Sequence, residues 1–223
     1  MKKIGMIVAM SKELKSYFET LGDLVELDEK VYDVWKASAY GNELYIVKSG
    51  VGEISAAAAT QYLLTKFNVD LVINFGVCGK LSSDLKLLDT VVVKSVVHYQ
   101  FDTSEIDGTA PGVYMNNSPY ISADNRLIDQ LLSLDDTIKT AVCASGDLFV
   151  SRKEDKEMLI KNFGADICEM ESAGILITCL KNDVPCILIK SVSDDCDDMD
   201  FVTYCELATK KYVEIVDKFV KSI

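Results

Sequence analysis

Apolar and polar positions fall into blocks along the chain, and the period within successive blocks switches between that of a strand and that of a helix. Residues 3–9 are a short, nearly continuous apolar run, which predicts a buried strand, and Ser11 is placed to cap a helix over 11–21. Val31–Ala39 and Glu43–Lys48, separated by Gly41-Asn42, predict a hairpin. Ser55–Phe67 is Ala-rich and helical, with Leu63, Leu64 and Phe67 available to a core. Asp70–Phe75 is a strand that ends in Gly76-Val77-Cys78-Gly79, and the Val-rich Thr90–Val97 is the next. Residues 102–119 carry Gly108, Pro111, Gly112 and Pro119 among mostly polar neighbours. They predict a long loop, and loops of that length in compact domains often have a function. Then come a helix (Asp124–Leu132), a strand (Lys139–Ala144), a helix (Lys153–Asn162) and a strand (Ala165–Met170). Residues 172–180 are apolar nearly all round, as in a buried helix, and a strand (Cys186–Val192) and an amphipathic helix (Tyr204–Val220) close the chain.

This order predicts an α/β fold: one domain over residues 1–223, with a mostly parallel or mixed central β-sheet flanked by helices. In such sheets ligands sit outside the carboxyl ends of the strands. The residues at those ends are Met10–Glu13, Gly50–Gly52, Gly76–Gly79, Gly146–Val150, Glu169–Glu171 and Ser193–Asp195. Glycines there let backbone approach a ligand closely. Converging carboxylates suit glycosidic chemistry, in which an oxocarbenium-like centre needs nearby negative charge and a water needs a base.

Composition narrows the partners. Of the 23 basic residues only Arg126 and Arg152 are arginines, and the net charge is −12, so no basic track exists for a nucleic acid. The seven cysteines (78, 143, 168, 179, 186, 196, 205) form no Cys-x-x-Cys pair and His98 is the sole histidine, so neither a metal site nor a cofactor is expected. An odd number of thiols within apolar runs predicts reduced cysteines and a cytoplasmic location. The apolar start is too short for a membrane span, and no membrane partner is expected.

Each acid also has a plainer reading. Glu13 can be a solvated first-turn helix carboxylate favoured by the helix dipole. Glu169 and Glu171 can cap the helix that follows them. Asp194-Asp195-Cys196-Asp197-Asp198 can be a solvated acidic loop. Phe149, Phe201 and His98 can serve structure alone.

Six segments taken in order weigh against these plainer readings. They are Ile7-Val8-Ala9-Met10-Ser11-Lys12-Glu13, Lys48-Ser49-Gly50-Val51-Gly52, Asn74-Phe75-Gly76-Val77-Cys78-Gly79, Ser145-Gly146-Asp147-x-Phe149-Val150, Glu169-Met170-Glu171 and Ser193-Asp194. Together they resemble the nucleoside phosphorylase/nucleosidase superfamily, most of all its 5′-methylthioadenosine/S-adenosylhomocysteine nucleosidases, from the first strand to the last helix. The resemblance implies the nucleoside phosphorylase-like fold and a purine nucleoside as ligand. It implies that Glu13 activates a water and that Asp194 protonates or hydrogen-bonds N7 of the purine. Glu171 would hold the ribose hydroxyls, with Met170 packed against the sugar. Phe149 would stack on the base and the backbone at Val150 would read its edge. Met10, Val51 and Phe201 fall where the family lines the pocket for the 5′-substituent. Glu169 and Ser193 belong to the matched segments and join the substrate-binding set. So do Val77, which stands where a nucleosidase has Ser, and Lys190, which replaces an Arg and lacks its planar fork. The family forms homodimers or larger assemblies, which implies that the 102–119 loop, with Pro111 and Tyr114, reaches a neighbour's 5′ pocket.

The activity implied is hydrolysis of the N-glycosidic bond of 5′-substituted adenosines to adenine and the thioribose. The rival is a phosphate-dependent purine nucleoside phosphorylase. A bound dianion needs local cations, best supplied by Arg forks. Phosphorylases of this superfamily carry Gly-Asp-Pro-x-Arg after the first strand, where this chain has Ala9-Met10-Ser11-Lys12-Glu13, and an Arg where Asn74 stands. Gly76-Val77-Cys78-Gly79, however, has the phosphorylase Gly-x-Cys-Gly form. A third reading is a nucleoside-sensing or storage protein that kept the fold and lost turnover.

Overall fold

A computed structural model describes the chain apart from residues 115, 116 and 197 and the side chains of 198–200 and 202. Its elements are β1 (Lys3–Val8), α1 (Ser11–Phe18), β2 (Val25–Leu27), β3 (Val34–Ala39), β4 (Asn42–Lys48), α2 (Glu53–Phe67), β5 (Leu71–Lys80), β6 (Thr90–His98) and α3 (Ser104–Asp107). They continue as β7 (Ile121–Ser122), α4 (Asn125–Leu134), β8 (Lys139–Ser145), α5 (Lys153–Phe163), β9 (Ile167–Glu169), α6 (Ser172–Lys181), β10 (Cys186–Asp194) and α7 (Asp198–Ser222).

One mixed sheet runs in the order β10-β6-β8-β9-β5-β1-β4-β3-β2, with β7 beside β6. Because β10 also pairs with β5, the strands β10, β6, β8, β9 and β5 close into a ring. The remaining strands extend from β5 through β1 as an open wing. β1 lies parallel to β4 and β5, and β5 parallel to β10, so their carboxyl ends share one edge. The short antiparallel pairing of Gly79 with Cys168 brings the end of β9 to the same place. β1, β5 and β10 are buried almost throughout, which is why their sequences read as unbroken apolar runs.

Helices flank the sheet: α2 packs on α6, and α7 lies along β10 and β5 beside α1. The α2–α6 approach depends on Gly174, where a Cβ would stand 2.4 Å from the Glu53 carbonyl oxygen. A run of rings, Tyr17–Phe75–Tyr212, ties α1 to α7 across β5, with centroids 5.1 and 5.3 Å apart. Tyr212 Oη then donates to the Glu13 carbonyl at 2.8 Å, which anchors the first turn of α1.

Several boundaries differ from the sequence expectation. β5 continues through Gly76–Gly79 to Lys80 instead of ending at Phe75. Those glycines answer crowding, since a Cβ at Gly79 would meet Cys196 Sγ at 2.8 Å. Met10 is the N-cap of α1 and Ser11 its first residue, and the helix ends at Phe18. The hairpin turn is Tyr40-Gly41, both with positive φ, so that Asn42 already belongs to β4. α7 begins at Asp198 rather than Tyr204, and a turn of helix (α3) sits inside the 102–119 loop. Among the described residues no helix is long and apolar enough to cross a membrane.

Candidate active site

A cavity of about 310 Å³ opens at the shared carboxyl edge of the sheet. Glu13 reaches it from the first turn of α1. It is 3% exposed, so the solvated first-turn reading does not hold. Its Oε2 accepts the Met10 N–H at 2.9 Å and its Oε1 the Val77 N–H at 3.0 Å. Burial pushes its pKa above the usual carboxylate range, against the pull of those two donors and of the Lys190 ammonium. Val77 therefore holds Glu13 through its backbone, a role that does not require the hydroxyl of a Ser there. Gly76 makes the approach possible, because a Cβ on it would lie 2.8 Å from Glu13 Oε1.

Glu169 and Glu171 divide the work that either could have done. The Glu169 carboxylate accepts the N–H groups of Glu171 (3.2 Å) and Ser172 (3.0 Å) and so caps α6. Glu171 makes no cap bond. It turns across the cavity and accepts the Gly52 N–H at 3.0 Å, from the start of α2. Burial and the neighbouring Glu169 charge raise its pKa to about 7. Glu169 is ion-paired with Lys190 at 2.8 Å, both side chains almost fully buried. Burial alone would raise Glu169, but the Lys190 ammonium holds it below the ordinary range. Burial alone would lower Lys190, but Glu169 and Glu171 hold it charged and above its ordinary value.

Lys190 stands apart from the other substrate-binding candidates. Its side chain is spent on Glu169, and it does not line the cavity, whereas the other catalytic and substrate-binding candidates do.

Asp194 ends β10, where the register shifts between Val192 and Asp194. It is 2% exposed and accepts from Ser193 Oγ at 2.6 Å. The solvated-loop reading fits its neighbour Asp195, which is exposed and paired with Lys80, but not Asp194. Asp197 and the side chain of Asp198 lie outside the described residues. Phe149 and Phe201 meet edge to face, with centroids 5.6 Å apart, in the cavity wall, which Met10 and Val51 also line. Val150 and Met170 complete the wall.

Some contacts around the site leave no trace in the sequence. Gly52, at φ 102°, leaves room for Asp147, whose Oδ1 would be 2.8 Å from a Cβ there and which accepts the Glu53 N–H at 2.7 Å. Glu53 stands in the first turn of the Ala-rich α2. It is buried, accepts from Ser145 Oγ (2.6 Å) and the Gly174 N–H (2.5 Å), and burial raises its pKa to about 8. His98 packs beside Phe101 and Tyr114 and does not line the cavity, in keeping with a structural role.

Comparison with known proteins gives this geometry a family. The profile of the phosphorylase superfamily matches residues 3–221. An aminodeoxyfutalosine nucleosidase of Helicobacter pylori is 32% identical over 231 residues, covering 100% of this chain and 98% of that protein. A 5′-methylthioadenosine/S-adenosylhomocysteine nucleosidase of Buchnera aphidicola is 28% identical, covering 96% and 97%. The structure of the Neisseria meningitidis 5′-methylthioadenosine/S-adenosylhomocysteine nucleosidase in complex with methylthio-immucillin-A matches with a TM-score of 0.94 at 27% identity, covering 100% of both chains. The chain, matched along nearly its whole length, belongs to the phosphorylase superfamily.

Proposed function

We propose that the protein is an N-glycosyl hydrolase that cleaves 5′-substituted adenosines, methylthioadenosine and S-adenosylhomocysteine among them, to adenine and the thioribose. The observation that carries this reading is Glu13, a buried carboxylate of raised pKa on the cavity wall, where a phosphate nucleophile would need positive charge. In the reaction, Glu13 takes a proton from water as the oxygen attacks C1′. The C1′–N9 electron pair departs into the purine, and Asp194 supplies or shares a proton at N7. Glu171 binds the ribose hydroxyls and stabilises positive charge on the sugar. Each step uses a group placed for charge that develops in the transition state. The phosphorylase alternative is disfavoured by four carboxylates on the wall and by the commitment of Lys190 to Glu169.

The working unit is the whole chain, residues 1–223, as a homodimer. The 102–119 loop supports this, since Ile106 is 84% exposed and Pro111 is also exposed, while Tyr114 packs on its own Phe101 at 4.9 Å. Light scattering should report a dimer, and a monomer with full activity would contradict it. Seven buried, unpaired thiols support a cytoplasmic setting. Product chromatography after incubation with methylthioadenosine tests the activity. Adenine with free thioribose is the expected outcome and adenine with a sugar phosphate contradicts it. Binding without turnover would mark a sensor.

A further inference from the structure

The polar part of the mostly apolar cavity wall is acidic, with Glu13, Glu169, Glu171 and Asp194 in it and the buried Lys190 taken up by Glu169. A cation stands against one residue of that wall. Lys12, exposed on the first turn of α1, places Nζ 4.2 Å from the centroid of the Phe201 ring. Phe201, which the family resemblance gives to the pocket for the 5′-substituent, packs against Phe149 in the cavity wall. Among the described residues no carboxylate is ion-paired with Lys12. The ring contact, with a hydrogen bond to the buried Cys205 thiol, holds the ammonium beside Phe201.

We propose that Lys12 selects for a 5′-substituent that ends in a carboxylate, as the amino-acid tail of S-adenosylhomocysteine does. The inference rests on the nucleosidase reading and assigns one of its specificities. In a protein of net charge −12, with acids at 195, 197, 198 and 200 just ahead of Phe201, an anionic tail has little else to attract it. A substituent leaving the cavity past Phe201 meets the Lys12 ammonium first. Lys12 also acts on Glu13, whose pKa its charge lowers, though burial, the backbone donors and Lys190 act more strongly. That second effect would touch all substrates alike, so the two are separable.

The test compares two substrates of matched length, 5′-carboxypropylthio- and 5′-butylthio-5′-deoxyadenosine, on the full chain. The kcat/KM ratio of acid to neutral substrate should fall about fivefold in Lys12→Gln, the upper end for an exposed ion pair. It should fall further in Lys12→Glu, recover in Lys12→Arg, and weaken with added salt in the wild type. An unchanged ratio in Lys12→Gln, or a parallel loss on both substrates, overturns the proposal. If the wild type hydrolyses neither compound, the functional reading fails, and the selectivity is then read from the ratio of the two Kd values by calorimetry.

Discussion

Glu13 shows how placement converts an ordinary helix-turn acid into a base. Its two oxygens are each engaged by a backbone donor, and desolvation lifts its pKa. Glu13→Gln should lower kcat by at least about 100-fold, the low end for general acid–base catalysis, while calorimetry still detects ligand binding. The amide also turns an NH₂ towards one of the two backbone donors, so a loss of about 1–3 kcal/mol in stability should accompany it. Near-normal turnover would remove Glu13 from the mechanism. Gly76→Ala tests the same placement from the other side. Its Cβ would lie 2.8 Å from Oε1, so a folded protein with a displaced base and reduced kcat is expected. Gly22→Ala, with nothing within 4 Å, should be silent. The acid itself was legible at a strand end. The partnership with the Val77 backbone was not, because a donated N–H leaves no trace in residue identity.

The α2–α6 junction carries the clearest pH dependence. Glu53 has a folded-state pKa of about 8 against an ordinary value of 4.5, so between those values the folded protein holds a proton that the unfolded chain has released. Stability therefore falls as pH rises through that window, and Glu171, raised to about 7, acts in the same direction. Glu53→Gln removes one of these charges. Its Tm should exceed the wild type's near pH 8 by several degrees, at about 2–4 °C per kcal/mol for a chain of this size, with the gap closing near pH 5. A gap that does not change with pH would show that Glu53 is ionised in the fold. On β9 and β10, Lys190→Met strands Glu169 without its cation, which should cost about 3–5 kcal/mol in stability. Thermal melting showing no loss would mean that the pair is unimportant. Element types followed the periodicity well, because long buried strands and amphipathic helices repeat their pattern many times. The three-residue β2 and two-residue β7 are too short to set up any period, and β5 was cut short because its glycines resembled a turn.

At the scale of the whole molecule, the site exists because the strand ring gathers segments far apart in the chain onto one edge of the sheet. The general rule that ligands sit at carboxyl strand ends located those segments without coordinates. Pairings across the ring were another matter. Glu169 with Lys190 joins β9 to β10, and Glu53 with Ser145 joins α2 to β8, contacts between distant segments that no local pattern encodes. Glu169, Glu171 and Asp194 from the ring strands and their ends meet Glu13 of α1 in one cavity wall, and those carboxylates favour water over phosphate. The most direct measurement is therefore the rate of adenine release from methylthioadenosine with and without added inorganic phosphate. The account predicts equal rates and free methylthioribose in both. Release that requires phosphate and yields a sugar phosphate would contradict it.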